Sequence, residues 1–323
     1  MDNRGKTLYI VVPCYNEQEV LPETASRLAA KLRSLAEREL ITARSRILFV
    51  DDGSRDTTWN IIASLHGSDS IFSGLALSRN RGHQNALLAG LMYARERADM
   101  VISMDADLQD DINAADEMVQ KYLDGADIVY GVRSSRRSDS FFKRTTAEAF
   151  YRFLGAMGAE TVFNHADYRL MSRRALDALS QFEEVNLFLR GIVPMTGFTT
   201  ATVEYERGER FAGESKYPLK KMLSFAVEGI TSLSVRPLRM VTALGFVVFL
   251  VSLVMIIYNI VRWAAGATVT GWASLSCSLW LLGGLQLLAL GVVGEYIGKI
   301  YLESKHRPRY IISCVLDERG GED

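Results

Sequence analysis

Over the first two-thirds of the chain, short apolar runs alternate with longer segments of helical periodicity. Leu8–Val12, Arg46–Val50, Gly74–Leu77, Met100–Met104 and Asp127–Tyr130 read as short buried strands, with helical patterns such as Glu19–Leu40 and Thr57–Leu65 between them. Strand–helix alternation of this kind predicts an α/β domain: a mostly parallel sheet with helices on both faces. Ligands of such sheets sit beyond the carboxyl ends of the strands. The polar clusters fall there: Pro13-Cys14-Tyr15-Asn16-Glu17 after the first strand, Asp51-Asp52-Gly53-Ser54 after the second, and Asp105-Ala106-Asp107 after the fourth.

Near residue 238 the pattern changes. Met240–Val261 carries no charge and is flanked by Arg239 and Arg262; Ala273–Gly294 is a second uncharged stretch. At 1.5 Å per residue each makes roughly 33 Å of helix, enough to cross a bilayer core. A buried helix of a large soluble protein is the competing reading for either one alone, and two with a short connection argue against it. Lys216, Lys220, Lys221, Arg236 and Arg239 precede the first stretch and Lys299, Lys305, Arg307 and Arg309 follow the second, whereas the connection holds only Arg262. The positive-inside bias then predicts a transmembrane hairpin with both termini and the α/β domain in the cytoplasm, at the inner membrane. Trp263 and Trp272 bracket the outer loop. Gly284, Gly291 and Gly298 form a small-residue stripe suited to close helix packing, within the hairpin or between subunits. Pro218–Val227, apolar with basic neighbours, reads as an amphipathic helix on the membrane surface. The predicted organisation is a catalytic domain over 1–216, an interfacial region over 217–238, two spans within 239–298 (about 240–261 and 273–294) and a cytoplasmic tail over 299–323.

Composition adds limits. The chain has 323 residues, 48% hydrophobic and 23% charged, with a net charge of −1, which gives no sign of a nucleic-acid partner. Cys14, Cys277 and Cys314 are scattered and odd in number, so neither a disulfide framework nor a metal knuckle follows. The polar start, Met1 to Lys6, leads straight into a strand-like run and reads as no signal peptide.

Asp105 and Asp107 share parity at the end of a buried strand and point to the same side in extended conformation. Buried carboxylates cost desolvation unless they hold a cation, and hard oxygen ligands suit Mg²⁺ or Mn²⁺. An ion held by so few protein ligands keeps positions open for substrate phosphate, the geometry wanted by a nucleoside-diphosphate leaving group.

Together the motifs resemble family 2 glycosyltransferases with the Rossmann-like GT-A fold, and within them the polyprenyl-phosphate group that includes dolichyl-phosphate mannose synthase and the bactoprenol glucosyltransferases. The resemblance rests on Val12–Glu17, Val50–Asp56, Asp105-Ala106-Asp107-Leu108-Gln109, Ala166-Asp167-Tyr168-Arg169-Leu170, Gly213–Tyr217 and Gly294–Tyr301. It implies that Pro13, Tyr15, Glu17, Asp51, Asp52 and Asp105 bind the nucleotide sugar, and that Asp105, Asp107 and Gln109 hold a divalent metal ion. It also names Asp167 and Asp107 as catalytic and favours a tetramer. Asp110 and Asp111 read as solvated cap residues of the next helix, and His83 as a loop histidine.

A lipid phosphomonoester needs no general base, since its second pKa lies near 6 and it is already largely dianionic at pH 7. It needs cations. Arg133, Arg144, Arg169, Arg210, Ser215 and Lys216 are the candidates, set against the reading of each as a solvated surface group. Asp167 then serves chiefly to orient a sugar hydroxyl or Arg169, where the resemblance names a base. The expected activity is inverting transfer of a hexose, glucose from UDP-glucose, onto polyprenyl (undecaprenyl) phosphate at the cytoplasmic membrane face. Alternatives are the same reaction with GDP-mannose, a UDP-N-acetylhexosamine or a UDP-aminoarabinose derivative, or a non-enzymatic module binding nucleotide sugars or glycolipids. A processive polysaccharide synthase is excluded: Asn259–Trp263 lacks the Gln of the Gln-x-x-Arg-Trp motif and sits at the far membrane face.

Overall fold

The computed structural model describes residues 5–133, 165–185, 187–206, 235–265 and 271–317. They fall into two compact units. The first holds 5–133, 165–185, 187–206 and 307–317, and the second 235–265 and 271–306.

The first unit is built on strands β1 (Leu8–Cys14), β2 (Arg46–Asp51), β3 (Phe72–Leu77), β4 (Met100–Ser103), β5 (Ile128–Arg133), β6 (His165–Ser172), β7 (Thr200–Tyr205) and β8 (Ile312–Leu316). They form one sheet in the order β7-β5-β6-β4-β1-β2-β3-β8. The pairs β4–β1, β1–β2, β2–β3 and β5–β7 are parallel. Strand β6 runs antiparallel between β4 and β5, and β8 runs antiparallel along the edge of β3. The mostly parallel sheet is therefore as expected, and the two antiparallel insertions are what the apolar pattern did not show.

Alternation of side chains explains the continuous apolar runs. Leu8, Ile10, Val12 and Cys14 enter one core while Tyr9 and Val11 enter the other; Ile47 and Phe49 divide from Leu48 and Val50 in the same way. Helix α1 (Leu21–Glu37) buries Leu21, Ala25, Leu28, Leu32 and Leu35 along one face against the first core, each buried leucine contributing about 2 kcal/mol. Helix α2 (Thr58–Ser68) and helix α4 (Ala114–Leu123) cover the same side with Ile62, Met118 and Val119. Helix α3 (His83–Arg95), α5 (Arg173–Leu179) and α6 (Leu189–Met195) cover the opposite one. Gly90 lets α3 lie directly on the sheet, for a Cβ there would stand 2.4 Å from Val11 Cγ1 and 2.7 Å from Val50 Cγ2.

The second unit contains α7 (Arg236–Ala264) and α8 (Trp272–Ser304). Both are long and apolar enough to cross a membrane, with windows at Arg236–Met255 and Leu281–Ser304 that are not buried by protein. Helix α8 runs unbroken past Gly294 through Glu295, Lys299 and Glu303. Beyond it the C-terminal segment, which the charge pattern reads as a tail, re-enters the first unit as β8.

Candidate active site

The carboxyl ends of β1 to β4 and the amino end of the antiparallel β6 meet at one edge of the sheet. The loops after β1 and β2 are stitched to each other. Asn16 N–H donates to Ser54 Oγ at 3.0 Å, Arg55 N–H to Asn16 Oδ1 at 2.9 Å and Glu17 N–H to Thr58 Oγ1 at 2.9 Å. Asp51 lies buried beneath them and accepts the Ser54 N–H at 3.3 Å; burial pushes its carboxyl above the ordinary value despite that bond. Asp52, also buried, accepts Arg81 N–H at 2.7 Å and Gly82 N–H at 2.9 Å. Each carboxylate oxygen has two acceptor sites, so Asp52 retains capacity for a ligand donor. Pro13 is buried in β1, whereas Tyr15 is exposed and Glu17 half-buried at the mouth.

Asp105 and Asp167 stand at the ends of adjacent antiparallel strands whose last paired residues here are Ser103 and Arg169. Ser103 Oγ closes the seam by donating to the Asp167 carbonyl. His83, the first residue of α3, places Nε2 3.6 Å from Asp105 Oδ1 and 3.7 Å from Asp167 Oδ2. Asp167 is further held by Arg169 Nη2 at 2.7 Å and by both Nε and Nη2 of Arg190 at 3.2 and 3.1 Å. Burial would raise the Asp167 carboxyl, but the bonds and charges of His83, Arg169 and Arg190 outweigh it and hold the group well below the usual carboxylate range. Burial lowers His83, and the two aspartates more than reverse that and raise it. Asp105 goes the other way. Burial, with Asp167, Asp110 and Asp107 adding to it against His83, pushes it up to about 6.

That crowding is the mark of carboxylates that want a cation. Asp105, Asp107 and Gln109 offer the hard oxygen donors that Mg²⁺ or Mn²⁺ takes, and the residues fit such an ion. Among the described residues no three His, Cys, Asp or Glu side chains are grouped so as to hold a metal ion by themselves. An ion here would need ligands from a substrate. The loop that carries the pair is held at both ends: Thr24 Oγ1 donates to the Ala106 carbonyl at 2.8 Å, and Leu108 adopts φ +57°, a left-handed backbone that a leucine occupies at a cost.

Residues 9–180 match the model of Glycosyl transferase family 2, and residues 236–300 match the GtrB C-terminal hairpin. The chain is 55% identical, over 98% of its length and 94% of the relative's, to the uncharacterized glycosyltransferase YkoT of Bacillus subtilis. The chain belongs to glycosyltransferase family 2. It is 42% identical to the bactoprenol glucosyl transferase of Shigella phage SfV over 94% of this chain and 97% of that one. It is 40% identical to the prophage bactoprenol glucosyl transferase homolog of Escherichia coli, over 95% and 98%. Among solved structures, glucosyl-3-phosphoglycerate synthase from Mycobacterium tuberculosis aligns with a TM-score of 0.44 at 17% identity, covering 71% of this chain and 79% of that one.

In this family 2 glycosyltransferase the structure brings Asp105, Asp107, Gln109, Asp167 and the Asp51–Asp52 pair to one edge, and it reassigns several neighbours. Arg169, expected as a phosphate ligand, is 1% exposed and gives its Nη2 to Asp167 Oδ1 at 2.7 Å. Arg133 is engaged by Asp110 at 3.2 Å and by the Tyr205 hydroxyl at 3.2 Å. Asp110, expected as a solvated cap residue, is buried. Its Oδ1 accepts the Tyr205 O–H at 2.5 Å, and the cluster closes with Tyr168 edge-on to Tyr205 and donating to the Asp111 carbonyl. Only Asp111 behaves as a turn residue, accepting Asn113 N–H at 2.9 Å ahead of α4. His83, expected as a loop histidine, is the bridge between the two central carboxylates. Arg144, Arg210, Ser215, Lys216 and the Pro218–Val227 segment lie outside the described residues.

The sequence reading missed His83, Arg190, Asp110 and Tyr205 as site residues. Arg190 had a legible signal, being a lone cation inside the apolar run Leu187–Val193. His83 had a weaker one, a histidine directly after the glycine that starts a helix behind a buried strand.

Proposed function

We propose that this glycosyltransferase moves glucose from UDP-glucose onto polyprenyl (undecaprenyl) phosphate at the cytoplasmic face of the inner membrane. The observation that carries the reading is the likeness to bactoprenol glucosyl transferases along nearly the whole chain, hairpin included. Basic residues before the first span and after the second, against a single Arg262 in the connection, support placing both ends of the hairpin in the cytoplasm. The organisation read from the sequence, with catalysis in 1–216, an interfacial segment over 217–238 and two spans within 239–298, belongs to the same proposal.

The chemistry follows from the charges. Asp51, Asp52, Glu17 and Tyr15 line the pocket proposed for the nucleoside, and Asp105, Asp107 and Gln109 are the residues that would hold a divalent ion. When bound, that ion neutralises the diphosphate and eases its departure. Asp167 is held well below the usual carboxylate range by Arg169, Arg190 and the bond from His83, which makes it a weak base. It orients: with Arg169 and Arg190 fixed on it, its free lone pairs accept a sugar hydroxyl. The nucleophile is the lipid phosphate oxygen, already deprotonated, which attacks the anomeric carbon on the face opposite the departing diphosphate. Arg190, 40% exposed at its side chain, is the cation at this edge best placed to face an incoming phosphate.

The test is transfer by purified full-length protein with undecaprenyl phosphate, Mn²⁺ or Mg²⁺ and a panel of radiolabelled nucleotide sugars. Label from UDP-glucose should enter an organic-extractable, mild-acid-labile lipid and should stop doing so on chelation. Label from a different donor would replace the sugar; label that stays aqueous for every donor, despite binding, would replace the enzyme by a binding module.

A further inference from the structure

The loop between β3 and α3 is held at its far side by the chain returning from the hairpin. Arg81 Nε donates to the Arg309 carbonyl at 2.9 Å and its Nη2 to the Pro308 carbonyl at 2.5 Å. Ser78 N–H donates to the Ile311 carbonyl at 2.9 Å, immediately before β8 pairs with β3. The returning segment is itself anchored away from the site. Arg309 Nη1 donates to the Phe182 carbonyl at 2.9 Å, and Asp317 accepts the Tyr93 O–H at 2.7 Å and lies 3.4 Å from Arg97 Nε.

On its near side the same loop holds the site. The amides of Arg81 and Gly82 are the donors to both oxygens of Asp52, and the next residue is His83, between Asp105 and Asp167. Asn85 Nδ2 donates to the Arg81 carbonyl at 2.8 Å from the first turn of α3. The neighbouring loop is seated on it backbone to backbone. Gly53, at φ +69°, leaves no room for a Cβ, which would meet Asn80 N at 2.6 Å and the Arg79 carbonyl carbon at 2.7 Å. Arginine suits the task, since its fork reaches two carbonyls at once while its main chain serves a third group.

We propose that Arg81 is a positioning residue that ties Asp52 of the nucleotide pocket to the C-terminal segment, so that residues 308–317 are a working part of the donor site. This rests on the reading of Asp52 as a donor-binding residue. Freed from Pro308 and Arg309, the turn loses the constraint that aims two amides at one buried carboxylate. Asp52 then meets the nucleotide from a less fixed position. Donor affinity falls, while the acceptor, handled by other groups, is not affected.

The experiment uses full-length protein in detergent, with UDP affinity by calorimetry and separate KM values for UDP-glucose and undecaprenyl phosphate. Arg81→Ala should weaken UDP binding and raise the donor KM about tenfold, with the acceptor KM unmoved. Arg81→Lys, which reaches only one carbonyl, should fall between. Asp317→Asn, which loosens the anchor far from the pocket, should shift the donor KM the same way by a smaller factor. If Asp52→Ala abolishes UDP binding while Arg81→Ala and Arg81→Lys leave it within about twofold of wild type, the tie is refuted and the pocket stands. Equal rises in both KM values would refute it as well, by showing a general loss of structure. Failure of the wild-type protein to bind UDP would instead overturn the nucleotide reading, and this inference with it.

Discussion

Replacing Arg169 by methionine tests how the central carboxylate is held. Arg169 is fully buried, gives Nη2 to Asp167 at 2.7 Å, and leaves its Nε without a hydrogen-bond partner among the described residues. Removing one member of a buried ion pair costs about 3–5 kcal/mol, because the other charge stays buried. Arg190 and His83 still face Asp167, so Arg169→Met should cost near the lower limit, about 3 kcal/mol. In a domain of this size each kcal/mol moves the melting temperature by roughly 2–4 °C, which gives a drop of about 6–12 °C. Asp167→Asn should destabilise comparably, since it strands the guanidinium. The double variant Asp167→Asn/Arg169→Met removes both charges, the methionine fills the space of the arginine stem, and its melting temperature should return to within about 4 °C of wild type. Transfer should stay about a hundredfold or more below wild type in all three, because the orienting carboxylate is lost or misplaced. Thermal unfolding of the detergent-solubilised chain by intrinsic fluorescence, alongside initial transfer rates, measures both. A double variant that melts at the sum of the two single losses would refute the buried-pair argument.

Three further expectations come from the same geometry. His83→Ala should lower the transfer rate about tenfold or more while His83→Lys keeps most of it, since the lysine restores a cation between Asp105 and Asp167; equal loss in both would show a need for the imidazole itself. Tyr205→Phe removes the hydroxyl bonded to Asp110 and should destabilise by about 2 kcal/mol, read as a lower melting temperature; an unchanged one would show that Arg133 alone satisfies Asp110. Asp127 is pushed up by burial but pulled further down by Arg174, Thr199 and Ser172, so its carboxyl sits below the ordinary value. Its contribution is therefore present above the unfolded value of about 3.9 and is lost as pH falls through the lower folded one. Asp127→Asn should lower the melting temperature at pH 7, with the gap from wild type narrowing below about pH 4; a gap constant with pH would place its role elsewhere.

The elements that sequence alone determined are those whose cause is local. A strand buried on both faces is apolar at nearly every position, so Leu8–Val12, Arg46–Val50 and Met100–Met104 announced themselves, and the switch to Asp or Glu at their ends marked the functional edge. Two long uncharged stretches likewise defined α7 and α8, because helix length against hydropathy needs no tertiary partner. What the tertiary structure decided is which charges meet. Parity says that Asp105 and Asp107 share a side, but not that the antiparallel β6 sets Asp167 opposite Asp105. Nor does it say that His83 and Arg190, drawn from two different helices, neutralise that carboxylate. Asp110 and Asp111 look alike as adjacent acids in a polar run; only the meeting of β5, β6 and β7 buries the first beside Tyr205 and Arg133 and leaves the second as a turn residue. Strand β8 was hidden for the same reason. Ile311, Ile312, Val315 and Leu316 make an apolar run, but its place along the edge of β3 is set by hydrogen bonds that no local periodicity records. Local polarity is written residue by residue, whereas the pairing of charges depends on where distant segments come to lie.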